Sequence, residues 1–143
     1  MNRFAFVKYA YSDPVHKVLE VVEADEKPAI YPNGVYGYWV DVTDNIAVQV
    51  GWKATTVDFV NWVFSELTYQ DHADEATAKK LDFLTAAVSW LKLNPLQYSI
   101  DLGVATSEEE ALLLAFKQFY VGVAGVEKQS GYPYTINWPV APF

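Results

Sequence analysis

Apolar and polar positions follow two different periods along this chain, and the change comes near its middle. In the first half the pattern is that of strands. Phe4 to Tyr11 is aromatic and apolar, and Ser12-Asp13-Pro14 interrupts it. His16 to Ala24 follows, with Val18-Leu19-Glu20-Val21-Val22 rich in β-branched residues. Two such runs around a turn signal predict an antiparallel hairpin. Tyr31-Pro32-Asn33-Gly34 places Pro and Gly where a tight turn needs them. Between Tyr36 and Val42, alternation puts Tyr36, Tyr38, Val40 and Val42 on one face and Trp39 and Asp41 on the other. Asp44-Asn45 marks a further turn, after which Val48, Val50 and Trp52 share a face of a fourth strand. Val57 to Phe64 is a fifth candidate, because its Val, Phe and Trp content favours strand over helix. The expectation is a small antiparallel sheet of four or five strands over residues 1–70.

From Asp74 to Leu93 the period becomes helical. Leu81, Leu84, Val88 and Leu91 form a stripe, and Phe83, Ala87 and Trp90 widen it. Asn94-Pro95 predicts the start of a short helix from Pro95 to Leu102, with Gly103 placed to end it. A third helix begins near Thr106, where Thr106 with Glu109, or Ser107 with Glu110, fits a capping box. Leu112, Phe116, Phe119 and Val123 make its stripe, and Gly122 and Gly125 weaken its end. The short link around Gly103 predicts that the flanking helices fold back on each other. Asp101, Gly103 and Thr106 are assigned to shaping that turn. After residue 130 the prolines of Tyr132-Pro133 and Trp138-Pro139-Val140-Ala141-Pro142 impose an extended path. Tyr132, Trp138 and Pro139 are expected to anchor this tail along the helices. The fold class is therefore α+β: an antiparallel β domain over 1–70, then a helical hairpin with an extended Pro/aromatic tail over 71–143.

Composition narrows the chemistry. The net charge is −8, and residues 1–70 and 71–143 each carry nine acids and five bases. Without a basic patch, nucleic acid and an anionic membrane surface are poor partners. No cysteine is present, which removes disulfides, thiolate metal sites and a Cys nucleophile. The apolar run at the N-terminus is too short for a signal peptide, so a soluble cytoplasmic chain is expected. His16 and His72 have no second ligand at metal spacing, and surface exposure is the expected state of both. Asp71, Asp74 and Glu75, like Glu108-Glu109-Glu110, are explained as acids at the positive end of a helix dipole. No nucleophile elbow and no Gly-rich phosphate loop occurs. No cofactor and no catalytic group is predicted. The unusual feature is aromatic content: 13 of the 23 aromatic residues lie within residues 1–70. Short strands cannot hide so many rings by themselves. Tyr36, Tyr38, Trp39 and Trp52 are the candidates for contact with a partner protein.

Several segments in order carry a family pattern. Ile100-Asp101-Leu102-Gly103-Val104-Ala105-Thr106-Ser107-Glu108-Glu109 is followed by Leu112-Leu113-Leu114-Ala115-Phe116-Lys117, then by Gly131-Tyr132-Pro133, and then by Ile136-Asn137-Trp138-Pro139-Val140-Ala141-Pro142. Near the start, Phe4-Ala5-Phe6-Val7, Trp39-Val40-Asp41-Val42-Thr43-Asp44 and Val50-Gly51-Trp52 add to it, while residues 53–95 carry less of the pattern. In this order the segments resemble the tail-fibre assembly proteins of tailed bacteriophages, of the lambda and Mu type. The resemblance implies a chaperone that binds the distal C-terminal tip of a trimeric tail fibre in the host cytoplasm and promotes its folding or trimerisation. Some such proteins remain on the virion at the fibre tip. That makes an adhesin for host glycan, such as lipopolysaccharide, the alternative function.

Overall fold

A computed structural model describes residues 1–143. The chain divides into two compact units, Met1–Glu75 and Ala76–Phe143, in the expected order of antiparallel sheet and then helices.

In the first unit, strand β1 (Asn2–Lys8) lies between β2 (Val18–Ala24) and β3 (Gly37–Asp41) and pairs antiparallel with both. A middle strand covered on both faces must be apolar on both, and Phe4, Ala5, Phe6 and Val7 are all buried. Ala5 and Val7 pack with Val18, Val42, Val48 and Ala54 to form the core of the unit. On the opposite face the Phe6 ring lies 5.1 Å from that of Trp39 and 5.8 Å from that of Tyr31. Gly37 makes this possible: a Cβ there would overlap the Val7 carbonyl and come within 2.7 Å of the Phe6 ring tip. Sealing Phe6 contributes about 2–3 kcal/mol.

The anticipated single sheet of four or five strands is instead a three-stranded sheet and a separate two-stranded ribbon, β4 (Lys53–Thr55) with β5 (Val63–Ser65). The stretch from Val48 to Trp52 is not a strand. It is a succession of turns, with Asn45 N–H bonded to the Val42 carbonyl and Trp52 N–H to that of Gln49. The Arg3 guanidinium holds these turns, donating to the carbonyls of Asn45 at 3.1 Å and Val48 at 2.6 Å. Charge-assisted bonds satisfy carbonyls that a ladder would otherwise pair, so Val48 is buried while Val50 faces solvent. Residues 57–61 also form a loop, and only the last part of the predicted fifth strand is extended.

Helix α1 (Tyr69–Leu93) begins five residues before the expected Asp74. Its entry is a reciprocal cap: Asp71 N–H donates to the Thr68 hydroxyl at 3.1 Å, and Thr68 N–H to the Asp71 carboxylate at 2.8 Å. Asp71 also pairs with Lys53, and Glu75 with Lys17, each at 2.7 Å. Further along, α1 turns Ala87 inward with Phe83, Leu84, Trp90 and Leu91. Leu81 and Val88 do not belong to this stripe; they are 63% and 40% exposed. The buried row advances by three and four residues through 83, 87 and 90/91, which leaves positions 81 and 88 on the flank.

Helix α2 (Leu96–Asp101) ends at Gly103, whose φ of +70° only glycine adopts cheaply. Gly103 N–H bonds to the Ile100 carbonyl and Val104 N–H to that of Ser99, which is a Schellman end. Asp101 accepts from the Gln97 amide at 2.9 Å. Helix α3 (Ser107–Ala124) starts with Thr106 as N-cap, and Glu109 completes the capping box. Leu113, Phe116, Phe119 and Val123 of α3 join Ala87 and Leu96 in the second core, with Leu112 half-buried beside them. The tail lies along these helices. Trp138 packs 5.3 Å from Phe83, and Phe143 stacks 4.9 Å from Trp90. The Gln129 side chain bonds both backbone groups of Asn137. Pro139 sits on Gly122, where a Cβ would be 2.9 Å from the proline ring. Tyr132 is half-buried and precedes the buried Pro133.

Candidate functional site

Tyr9, Tyr31, Tyr36, Tyr38, Phe59 and Trp62 of the first unit form a connected set of rings. Tyr9 follows β1 and lies edge-on to Tyr36, Tyr38 and Phe59, at centroid distances of 6.5, 5.8 and 5.6 Å. Tyr36 continues to Tyr31 at 5.8 Å, and Tyr38 continues to Trp62 at 5.5 Å. Ladder position explains the gathering, because the Tyr9–Tyr36 and Val7–Tyr38 pairs bring side chains of β1 and β3 to the same face. The Tyr36 and Tyr38 hydroxyls share a hydrogen bond at 3.4 Å. That bond, and then partial loss of water, pushes the Tyr38 phenol up to about 12. The Tyr38 hydroxyl therefore stays neutral at any physiological pH.

One loop completes the patch. Asp58 accepts from the N–H groups of Val60 and Asn61 at 2.9 and 2.8 Å, and from the Asn61 side-chain amide at 2.8 Å. These bonds, those from Asn61 and Val60 above all, hold its carboxyl well below the usual range. The Thr56 hydroxyl accepts from Phe59 N–H and donates to the Asn61 carbonyl. Held from both sides, Phe59 takes φ of +59°, which is rare for a bulky residue. Its ring meets Tyr38 at 5.4 Å and Trp62 at 6.2 Å and is 46% exposed; Tyr36 is 55% exposed. Val57 and Val60 beside it are 99% and 77% exposed.

Of the four sequence candidates, Tyr36 and Tyr38 belong to this set. Trp39 lies on the opposite face of β3, against Phe6, with its indole N–H bonded to the Ile30 carbonyl at 3.0 Å. Trp52 packs on the aliphatic core. Tyr36 and Tyr38 thus meet directly, Trp39 reaches them only through Phe6 and Tyr31, and Trp52 is set apart. Tyr9, Tyr31, Phe59 and Trp62 were not singled out beforehand. For Phe59 a signal existed in Thr56, Asp58 and Asn61, whose side chains favour local turns.

The histidines are not the surface groups expected. His16 is half-buried and stacked 4.6 Å from Tyr9, with its Nδ1 buried and unpartnered, and His72 is half-buried on α1. Ring packing accounts for the burial of His16, and position on α1 for that of His72. No group of three or more His, Asp or Glu is placed to hold a metal ion. No helix is long and apolar enough to cross a membrane. In the second unit an apolar groove of about 580 Å³ lies between Val88, Leu91, Leu96, Phe116 and Tyr120.

No curated protein and no solved structure matches the chain. The family model described as Caudovirales tail fibre assembly protein, lambda gpK, matches residues 15–143, which include β2, β3, the ring-bearing loop, all three helices and the tail. The chain belongs to the Caudovirales tail fibre assembly protein family.

Proposed function

We propose that this protein binds the distal C-terminal tip of its phage's trimeric tail fibre through the exposed rings of the first unit, and so promotes folding or trimerisation of the fibre in the infected cell. The observation that carries this reading is the connected, partly solvent-facing set of Tyr9, Tyr36, Tyr38, Phe59 and Trp62. Aromatic residues are enriched where one protein meets another, and those at the centre of a contact dominate its energy. Fibre tips of intertwined strands form slowly, and their unpaired edges aggregate before closure. A partner with a rigid ring surface covers such strands without itself unfolding. Within this reading Tyr36 and Tyr38 make the contact, while Trp39 and Trp52 brace the strands that present them. The reading assigns no catalytic step.

Co-expression with the tail fibre of the same phage tests it. Soluble trimeric fibre is expected only with this chain, and the two are expected to co-purify. The double variant Tyr36→Ser, Phe59→Ser is expected to fold yet to leave the fibre insoluble. Full fibre rescue by that variant would sink the assignment of these rings.

A further inference from the structure

The outer edge of β3 is an unpaired row of backbone groups. Tyr9 N–H bonds to the Tyr36 carbonyl and Val42 N–H to the Arg3 carbonyl, which fixes the phase of the β1–β3 ladder. Tyr36, Tyr38, Val40 and Val42 therefore turn their backbone groups toward β1, and Gly37, Trp39 and Asp41 turn theirs away. Beyond β3 the sheet has no further strand. No backbone or side-chain hydrogen bond reaches the N–H or carbonyl groups of Gly37, Trp39 or Asp41.

Sheet edges are usually guarded by charge, proline or a bulge. The β2 edge has guards: β2 bulges at Leu19, opposite the Phe6–Val7 step, and Glu20 and Glu23 stand along it. The β3 edge has Tyr38-Trp39-Val40 at its centre and no charge before Asp41. Side chains on both faces of this edge are aromatic, which suits a partner strand that sends alternate residues to alternate faces.

Charge at one end of the edge selects the kind of partner. A groove of about 530 Å³ runs from the end of β3 to the loop before β5, lined by Asp41, Asp44, Asn45, Asn61 and Trp62 among others. No lysine or arginine lines it. The ion pairs of this unit use Asp13, Glu75 and Asp71, so Asp41 and Asp44 have no cation. A second copy of the chain is a poor occupant, because each copy carries these same acids and a net charge of −8.

We propose that the β3 edge accepts an extended segment of the tail fibre as an added strand, and that a lysine or arginine side chain of that segment enters the groove beside Asp41 and Asp44. This deepens the fibre-binding reading above and rests on it.

Hydrogen exchange measured amide by amide tests it, on the full chain alone and in complex with the C-terminal part of its own fibre. The Gly37, Trp39 and Asp41 amides are expected to slow by about tenfold or more in the complex, as unpaired groups become paired. Asp44→Lys, on an exposed side chain without hydrogen bonds, is expected to weaken fibre affinity by about tenfold and to flatten its salt dependence. If the fibre binds while these amides exchange at their free rates, or if Asp44→Lys binds like the unaltered chain, the edge mode is overturned and the fibre reading stands. If the isolated chain protects the same amides with rising concentration and sediments as a dimer, the occupant is a second copy and the proposal fails. If the unaltered chain does not bind the fibre at all, both readings fall together.

Discussion

Phe59 concentrates the cost of the ring-bearing surface in one residue. A positive φ at a bulky side chain costs about 1–2 kcal/mol, and such strain persists only where neighbours over-determine it. Here Asp58 and Thr56 supply that restraint through hydrogen bonds to the backbone of residues 59–61. Asp58→Ala is expected to release the loop and loosen the Phe59 contacts with Tyr38 and Trp62. Near-UV circular dichroism should lose aromatic signal while the far-UV spectrum is kept, because no helix or strand of either unit includes Asp58. An unchanged near-UV spectrum would show that the rings hold the loop rather than the reverse.

Among the elements, the helix ends were the most legible parts of the sequence. Thr106 with Glu109 and the glycine at 103 act through contacts within a few residues, so their chemistry is visible without the fold. Thr106→Ala is expected to lower unfolding free energy by about 1 kcal/mol, read from the urea midpoint. The seat of the tail is a different case, because Pro139 and Gly122 lie far apart in sequence. Gly122→Val forces the Pro139 ring outward, since even a Cβ would stand 2.9 Å from it. Faster carboxypeptidase digestion of residues 130–143 and red-shifted Trp138 fluorescence are expected. Equal digestion of the variant and the unaltered chain would mean that the aromatic contacts of Trp138 and Phe143 hold the tail alone.

At the scale of the molecule, acids are tied into both units. Asp71 is held below its usual range first by Lys53 and then by the Thr68 N–H, and Glu127 is held low first by Lys80. Asp58 and Asp41 are held low by local hydrogen bonds. A carboxyl with a lower pKa in the folded state stabilises that state above its unfolded value, and the gain is lost as pH falls toward the folded value. For Asp and Glu the loss therefore begins near pH 4–5 and grows below it. Urea midpoints are expected to be flat from pH 8 to about pH 5 and then to fall steeply. Asp71→Asn should fall less steeply, because one of the linked protons is gone. Parallel acid limbs for the variant and the unaltered chain would contradict that role for the Lys53–Asp71 pair.

Periods and caps alone determined the class of this protein: strands first, helices after, a glycine-ended turn and a proline-bound tail. Each rests on interactions within a few residues, which is what a linear sequence displays. The order of family segments from Ile100 to Pro142 placed it among tail-fibre assembly proteins for the same reason. Only the tertiary structure decided that the stretch from Val48 to Trp52 turns rather than pairs, since Arg3, dozens of residues away, holds the carbonyls of Asn45 and Val48. Only it decided that Tyr38 and Phe59 share a surface while Trp52 packs on the aliphatic core; that Trp39 faces the other way from Tyr38 follows already from strand alternation. Which side of a strand meets another element depends on ladder register and on chain that returns from afar, and neither is written in local spacing.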